Sequence, residues 1–288
     1  PLHFLAARLE VNRQSLVLLA SLESLARSQN EVGRATLQDV LKAQIEQEQL
    51  RTDTANLEDS RRLLLAQFKA ALGLPAAASD PPVPPAPSFS ESQSDDEALF
   101  AAALQQNPRL REMTAEIQVA EAQIRMARKE RVPDFSAGGE VDLKGNPLIW
   151  NPQFSLTLPI WRDKLHAELA GAQQARRAAQ ARLTAEQINL AADFAEQTYM
   201  VREADRLLEL LRSRLLPRAR QSLEVARAAY RSSQVDFLNV IDAERALLSF
   251  QLAEIAAQSQ REIARAQLRL MIAGAPPEGA PLSRPTPK

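Results

Sequence analysis

The residues able to do chemistry are few and badly placed for it. There are no cysteines, which excludes disulfides, thiolate metal sites and thiol nucleophiles. His3 and His166 are the only histidines and lie far apart in the chain, so no metal site is expected from them. Serine, histidine and aspartate all occur, but no nucleophile motif surrounds any serine. The glycine-poor breaks lack the backbone needed to cradle a phosphate. The many carboxylates sit at spacings that suit ion pairs along helices better than an acid–base pair. Two acids stand apart, Asp39 and Asp242, each in the first turn of an expected helix. In isolation they read as partners of the helix dipole, worth about 0.3–1 kcal/mol each. No catalytic residue, cofactor or metal is expected, and hence no enzyme.

Composition fits that reading. Of 288 residues, 45% are hydrophobic but only 5% aromatic, and there are just 8 glycines. A narrow aliphatic interior follows, of the kind found in long helices and coiled coils. Net charge is −1, with arginines interspersed among glutamates and glutamines, so no nucleic-acid partner is expected. No run of apolar residues is long enough for a transmembrane helix. No signal peptide is visible, and the chain opens at Pro1 already in helical pattern, so an upstream segment is expected.

Prolines divide the chain. The pattern predicts a helical hairpin over 1–74, a Pro-rich extended linker over 75–93 and helices over 94–132. A β-hairpin over 133–160, a long helical hairpin over 161–275 and a disordered tail over 276–288 follow. The first helix is predicted from Leu2 to Glu31, and Gly33 breaks it. Thr36 caps a second helix to Leu72, stopped by Gly73 and Pro75. Asp95 or Asp96 opens a short helix, and Asn107-Pro108 restarts one that runs to Arg131. Phe135, Ala137, Gly139, Val141 and Leu143 alternate with polar residues, which predicts a strand. Lys144-Gly145-Asn146-Pro147 reads as a turn. Phe154, Leu156 and Leu158 predict a second strand, ended by Pro159 and flanked by Trp150 and Trp161. Those two tryptophans read equally as a membrane interface or as cover for the end of a bundle. Asp163 is then expected to cap a helix reaching Leu216, roughly 80 Å at 1.5 Å per residue. Pro217 should disturb it. A final helix, Asp236 to Ile272, carries a seam of Phe237, Ile241, Leu248, Leu252, Ile255, Ile263 and Leu270. The fold class is therefore mainly α, long antiparallel coiled-coil hairpins with one short β-hairpin.

Two stretches match. VGRATLQDVLKAQ (Val32–Gln44) aligns with SSQVDFLNVIDAE (Ser232–Glu244), pairing Gly33 with Ser233, Leu37 with Phe237, Asp39 with Asn239 and Leu41 with Ile241. Each follows a helix, breaks, and opens a helix ending near a glycine, Gly73 or Gly274. That is a duplicated supersecondary unit. The first copy is short of roughly one hundred residues upstream if the copies were once equal.

On these features the chain resembles the TolC-like outer-membrane efflux channels, as an N-terminally truncated member. Val32-Gly33 with Asp39-Val40 resembles the first turn of that family, and Tyr230 with Asn239-Val240-Ile241-Asp242 the second. Residues 215–248 are most similar to its heavy-metal branch. Asn107-Pro108-Arg109-Leu110, Arg131-Val132-Pro133-Asp134-Phe135 and Leu158-Pro159-Ile160-Trp161 resemble its helix–strand joints. The resemblance covers nearly all of 1–275. It implies a homotrimeric partial α-barrel with the strands in the outer membrane and the helices in the periplasm. A periplasmic adaptor and an inner-membrane pump would be its partners. It implies adaptor contact at Val32, Gly33, Arg34, Ser233 and Gln234, and a gate at Asp39, Tyr230, Asn239 and Asp242. Asp242 would belong to an acidic ring that attracts cations. The family's partner arginine is absent, with Val235 in its place. The implied function is a passive duct for metal ions or small molecules. The family uses two strand hairpins per protomer and this chain offers one, so a trimer of it would fall short of the roughly eight strands of small barrels. Two alternatives differ in class. A soluble coiled-coil scaffold would not need the strand hairpin, and a pump adaptor would carry β-rich domains around a single helical hairpin.

Overall fold

The computed structural model describes residues 2–82, 96–142 and 149–273. The predicted turn at 144–147, the linker beyond Pro82 and the tail at 276–288 lie outside them. The elements are α1 (Leu2–Glu31), α2 (Leu37–Ala71), α3 (Asp96–Gln106), α4 (Pro108–Lys129), β1 (Asp134–Asp142), β2 (Ile149–Thr157), α5 (Arg162–Leu210), α6 (Leu216–Arg231) and α7 (Phe237–Ala273). A five-residue π-helical segment, Leu211–Leu215, joins α5 to α6. The described residues divide into two compact units, one of 2–82 and 195–270, the other of 96–142, 149–194 and 271–273.

In the first unit the helices end where backbone chemistry ends them. Gly73 takes φ +67°, and Leu74 N–H returns to Lys69 O at 2.9 Å, closing the carbonyl end of α2. The linker does not leave extended. Ala78 N–H bonds Pro75 O at 2.9 Å, and the Lys69 ammonium reaches Ala78 O and Asp80, each at 2.7 Å. Pro217 lacks an N–H for the residue 213 carbonyl, and just before it the ladder shifts, with Leu216 N–H bonding Leu211 O. Leu19, Leu22 and Ala26 of α1, Val40 and Ala43 of α2, Leu223 and Tyr230 of α6 and Phe237 and Ile241 of α7 form the core. Each large aliphatic fully buried there stabilises the fold by about 1.5–3 kcal/mol.

The expected seam on α7 holds only in part. Phe237, Ile241 and Ile255 are buried, but Ile263 and Leu270 are 44% and 47% exposed. Small residues, Ala257 and Ala264, take the inward positions there, because the buried stripe drifts around a helix this long.

In the second unit Asn107 caps α4, its Oδ1 accepting from Arg109 N–H at 2.9 Å and Leu110 N–H at 3.3 Å. Asp163 is no cap, because α5 begins at Arg162 and Asp163 stands in its first turn. Phe100 and Phe194 pack with ring centroids 5.3 Å apart. The strands pair antiparallel in unbroken register from Asp134↔Thr157 to Asp142↔Ile149. β2 thus starts four residues earlier than the alternation of Phe154, Leu156 and Leu158 indicates, and Trp150 lies within it. Pro152, opposite Gly139, interrupts the pattern without ending the strand; with only two strands each is an edge, where a missing donor is tolerated.

Candidate functional site: two matched turns and a two-faced hairpin

The α1–α2 and α6–α7 turns share one backbone. Gly33 has φ +69° and Ser233 φ +56°, the left-handed conformation that closes a helix. Gly33 N–H bonds Asn30 O at 2.9 Å and Arg34 N–H bonds Gln29 O at 2.8 Å; Ser233 N–H bonds Tyr230 O at 3.0 Å and Gln234 N–H bonds Ala229 O at 2.9 Å. Asp39 N–H meets Thr36 O, and Asn239 N–H meets Asp236 O, both at 3.1 Å. These three bonds of the first turn recur in the second at an offset of two hundred. Val32, Gly33, Arg34, Ser233 and Gln234 are all exposed.

The four gate candidates occupy different environments. Asp39 accepts from Thr36 N–H at 3.2 Å. Asn239 donates weakly to Asp236 O at 3.4 Å. Tyr230 is buried against Phe237, ring centroids 5.2 Å apart, and its hydroxyl has no partner among the described residues. Burial, then the charge of Asp39, push its pKa up to about 12. The charge of Asp39 thus reaches Tyr230 without a hydrogen bond. Asp242 is exposed, stands in the second turn of α7 and not in the first as expected, and lies 3.8 Å from Arg245 Nη1. Arg245 clasps Glu46 of α2 through both Nε, at 2.9 Å, and Nη2, so the Asp242 carboxylate sits beside an α2–α7 clamp.

Sequence reasoning missed two features. Glu244 is 2% exposed, with Ser15 Oγ of α1 donating to it. Burial pushes its pKa up; the Ser15 hydrogen bond and Arg245 oppose that, and Glu46 adds to it. The second feature is an imbalance between the copies. Phe237 and Ile241 are 1% and 2% exposed, whereas their counterparts Leu37 and Leu41 are 63% and 48% exposed. With Ile45, also exposed, these leucines form an i, i+4, i+8 stripe on one face of α2. The spacing was readable in the sequence; its lack of cover was not.

The hairpin has two faces. Directly opposed residues share a face, so Phe135↔Leu156, Ala137↔Phe154 and Gly139↔Pro152 make one side apolar, and Trp150 lies on it two residues before Pro152. Phe135, Phe154, Leu156 and Trp150 are all well exposed on it. The other side pairs Ser136 with Ser155, hydroxyls 2.7 Å apart, and Glu140 with Asn151. No helix among the described residues is long and apolar enough to cross a membrane, and no cluster among them could hold a metal ion.

Duplicated helical hairpins with matched turns and a two-faced strand pair define a mainly α fold of long antiparallel hairpins with one β-hairpin. Residues 99–274, more than half of the chain, match the family model for outer membrane efflux proteins. The chain belongs to that family, which is one of efflux proteins and not of enzymes. None of the curated proteins matches it. Among solved structures, a membrane protein from Pseudomonas aeruginosa matches at 22% identity and TM-score 0.79, over 96% of this chain and 64% of that one. The outer membrane protein VceC of Vibrio cholerae matches at 17% and 0.80, over 94% and 67%. CusC, described as forming a transmembrane channel, matches at 18% and 0.84, over 95% and 66%. At these identities the likeness is one of fold, and the chain spans about two thirds of each of these relatives.

Proposed function

We propose that this chain forms most of one protomer of an outer-membrane efflux channel, a passive duct fed by a periplasmic adaptor and an inner-membrane pump. The observation that carries the reading is the unequal burial of two equal turns. Phe237 and Ile241 are covered by the first copy within the same chain, while the Leu37–Leu41–Ile45 stripe has no such cover. Burying that stripe against the second copy of the next protomer repeats the same packing, head to tail, and such contacts close into a ring. In such a homotrimer each protomer lends its strand hairpin to the membrane. Each strand has nine residues, the length a tilted membrane strand needs, with its apolar face toward lipid. The protein then resides in the outer membrane with its helices in the periplasm.

In this reading Val32, Gly33, Arg34, Ser233 and Gln234 meet the adaptor at the periplasmic tip. Asp39, Tyr230, Asn239 and Asp242 form the gate. Energy comes from the pump, so the duct needs no catalytic group. Metal cations are the favoured cargo, on the likeness of 215–248 to the heavy-metal branch and on an exposed carboxylate at the mouth, Asp242. In planar bilayers, Asp242→Asn should lower the cation preference of the native channel. An unchanged reversal potential across a salt gradient removes Asp242 from the gate.

A further inference from the structure

At the end of the hairpin where Asp134 pairs with Thr157, both strands run into helices through short apolar arms. Val132, Leu158, Ile160 and Trp161 are 62%, 56%, 68% and 72% exposed there, in the arms that flank the strands. Basic side chains stand among them. Arg131 and Lys164 are exposed, and Arg162, also exposed, adjoins Trp161 in an open recess lined by residues 160–164. The arms 128–134 and 158–164 together hold five basic residues against three acidic ones, Glu130, Asp134 and Asp163, in a chain of net charge −1. Few of these charges are spent internally. Arg131 donates to His166 Nδ1 at 3.1 Å, a neutral acceptor in that role, and Lys164 holds only a long pair with Glu168 at 3.6 Å.

We infer that this collar seats the protein in the headgroup layer of anionic phospholipids, with Trp161 and its apolar neighbours at the acyl boundary and Arg131, Arg162 and Lys164 on the phosphates. The inference rests on the membrane reading of the hairpin and adds a lipid preference to it. Tryptophan favours the interface because its ring is apolar and its N–H is polar, and basic residues beside it select anionic headgroups. A protein partner would leave the basic side chains facing no stated charge, whereas lipid phosphates satisfy them.

The test uses the native protein carrying Trp150→Phe, and Trp161 emission is read as its difference from the same protein carrying Trp161→Phe as well. Binding is measured by flotation with phosphatidylcholine vesicles and with vesicles mixed with phosphatidylglycerol, alongside Trp161 emission. Each basic residue at an anionic surface contributes roughly fivefold, so three should favour the mixed vesicles by on the order of a hundredfold. Trp161 emission should shift to the blue. The triple variant Arg131→Gln, Arg162→Gln, Lys164→Gln should lose the preference and keep its binding to neutral vesicles. Equal binding of the unsubstituted collar to both vesicles overturns the lipid preference alone. Binding to neither overturns the membrane reading and the preference with it. Should the triple variant fail to fold, the two-vesicle comparison of the unsubstituted collar decides.

Discussion

Gly33 and Ser233 hold the same left-handed position in the two turns, and exchanging their residue types should move stability in opposite directions. A Cβ placed on Gly33 meets nothing within 4 Å, so Gly33→Ala carries no clash, only the backbone cost of φ +69°. That cost is about 1–2 kcal/mol for an L-residue. The stiffer unfolded chain returns roughly 0.4–1 kcal/mol, leaving a net loss of about 1 kcal/mol. Ser233 already bears the strain at φ +56°; Ser233→Gly removes it and gives up similar unfolded-state stiffness, a net gain of up to about 1 kcal/mol. Urea unfolding followed by far-UV circular dichroism resolves changes of this size from the midpoint at unchanged slope. A shift of both variants in the same direction, or a neutral Gly33→Ala, would refute the claim that the turns are one device used twice.

Three more predictions follow from the packing. Glu244→Gln keeps an acceptor for Ser15 and removes a buried charge. Because the folded-state pKa of Glu244 lies above its ordinary 4.5, its stabilising contribution is full below that value and lost as pH rises through the folded one. The variant should therefore unfold at higher urea than the parent at pH 7 and match it near pH 4. Phe237→Ala, at a 1% exposed core position, should cost about 3–5 kcal/mol in the same assay. Leu41→Glu should leave helix content unchanged while converting the native oligomer to monomers by light scattering. An intact oligomer would mean that the α2 stripe is not the subunit contact.

The helix ends were legible because they are matters of local backbone chemistry. Gly33 and Gly73 supply positive φ, Asn107-Pro108 supplies a cap and a first residue without an N–H, and Pro159 stands two residues past the last paired residue, Thr157, leaving Leu158 outside the strand. The duplicated turn was legible for the same reason, even though Ser233 stands where glycine is easier. What the sequence hid depends on neighbours distant in the chain. Glu244 lies in an Asp-Ala-Glu-Arg run that reads as solvated, and only the approach of α1 buries it. Leu37 and Phe237 read alike, and only the packing of one copy on the other separates an exposed residue from a core one. The start of β2 was missed because Pro152 breaks the alternation on which strand reading relies, while Trp150 still pairs across from Val141.

The central claim, a duct whose hairpin lies in the membrane, is tested most directly by cysteine labelling along β1. These 288 residues hold no cysteine, and labelling at each substitution is read as the gain over the unsubstituted protein. With the native protein in its membrane, a water-soluble maleimide should label Ser136→Cys, Gly138→Cys and Glu140→Cys. It should spare Phe135→Cys and Ala137→Cys on the lipid face. Uniform labelling of all five positions would contradict the membrane hairpin, and with it the duct.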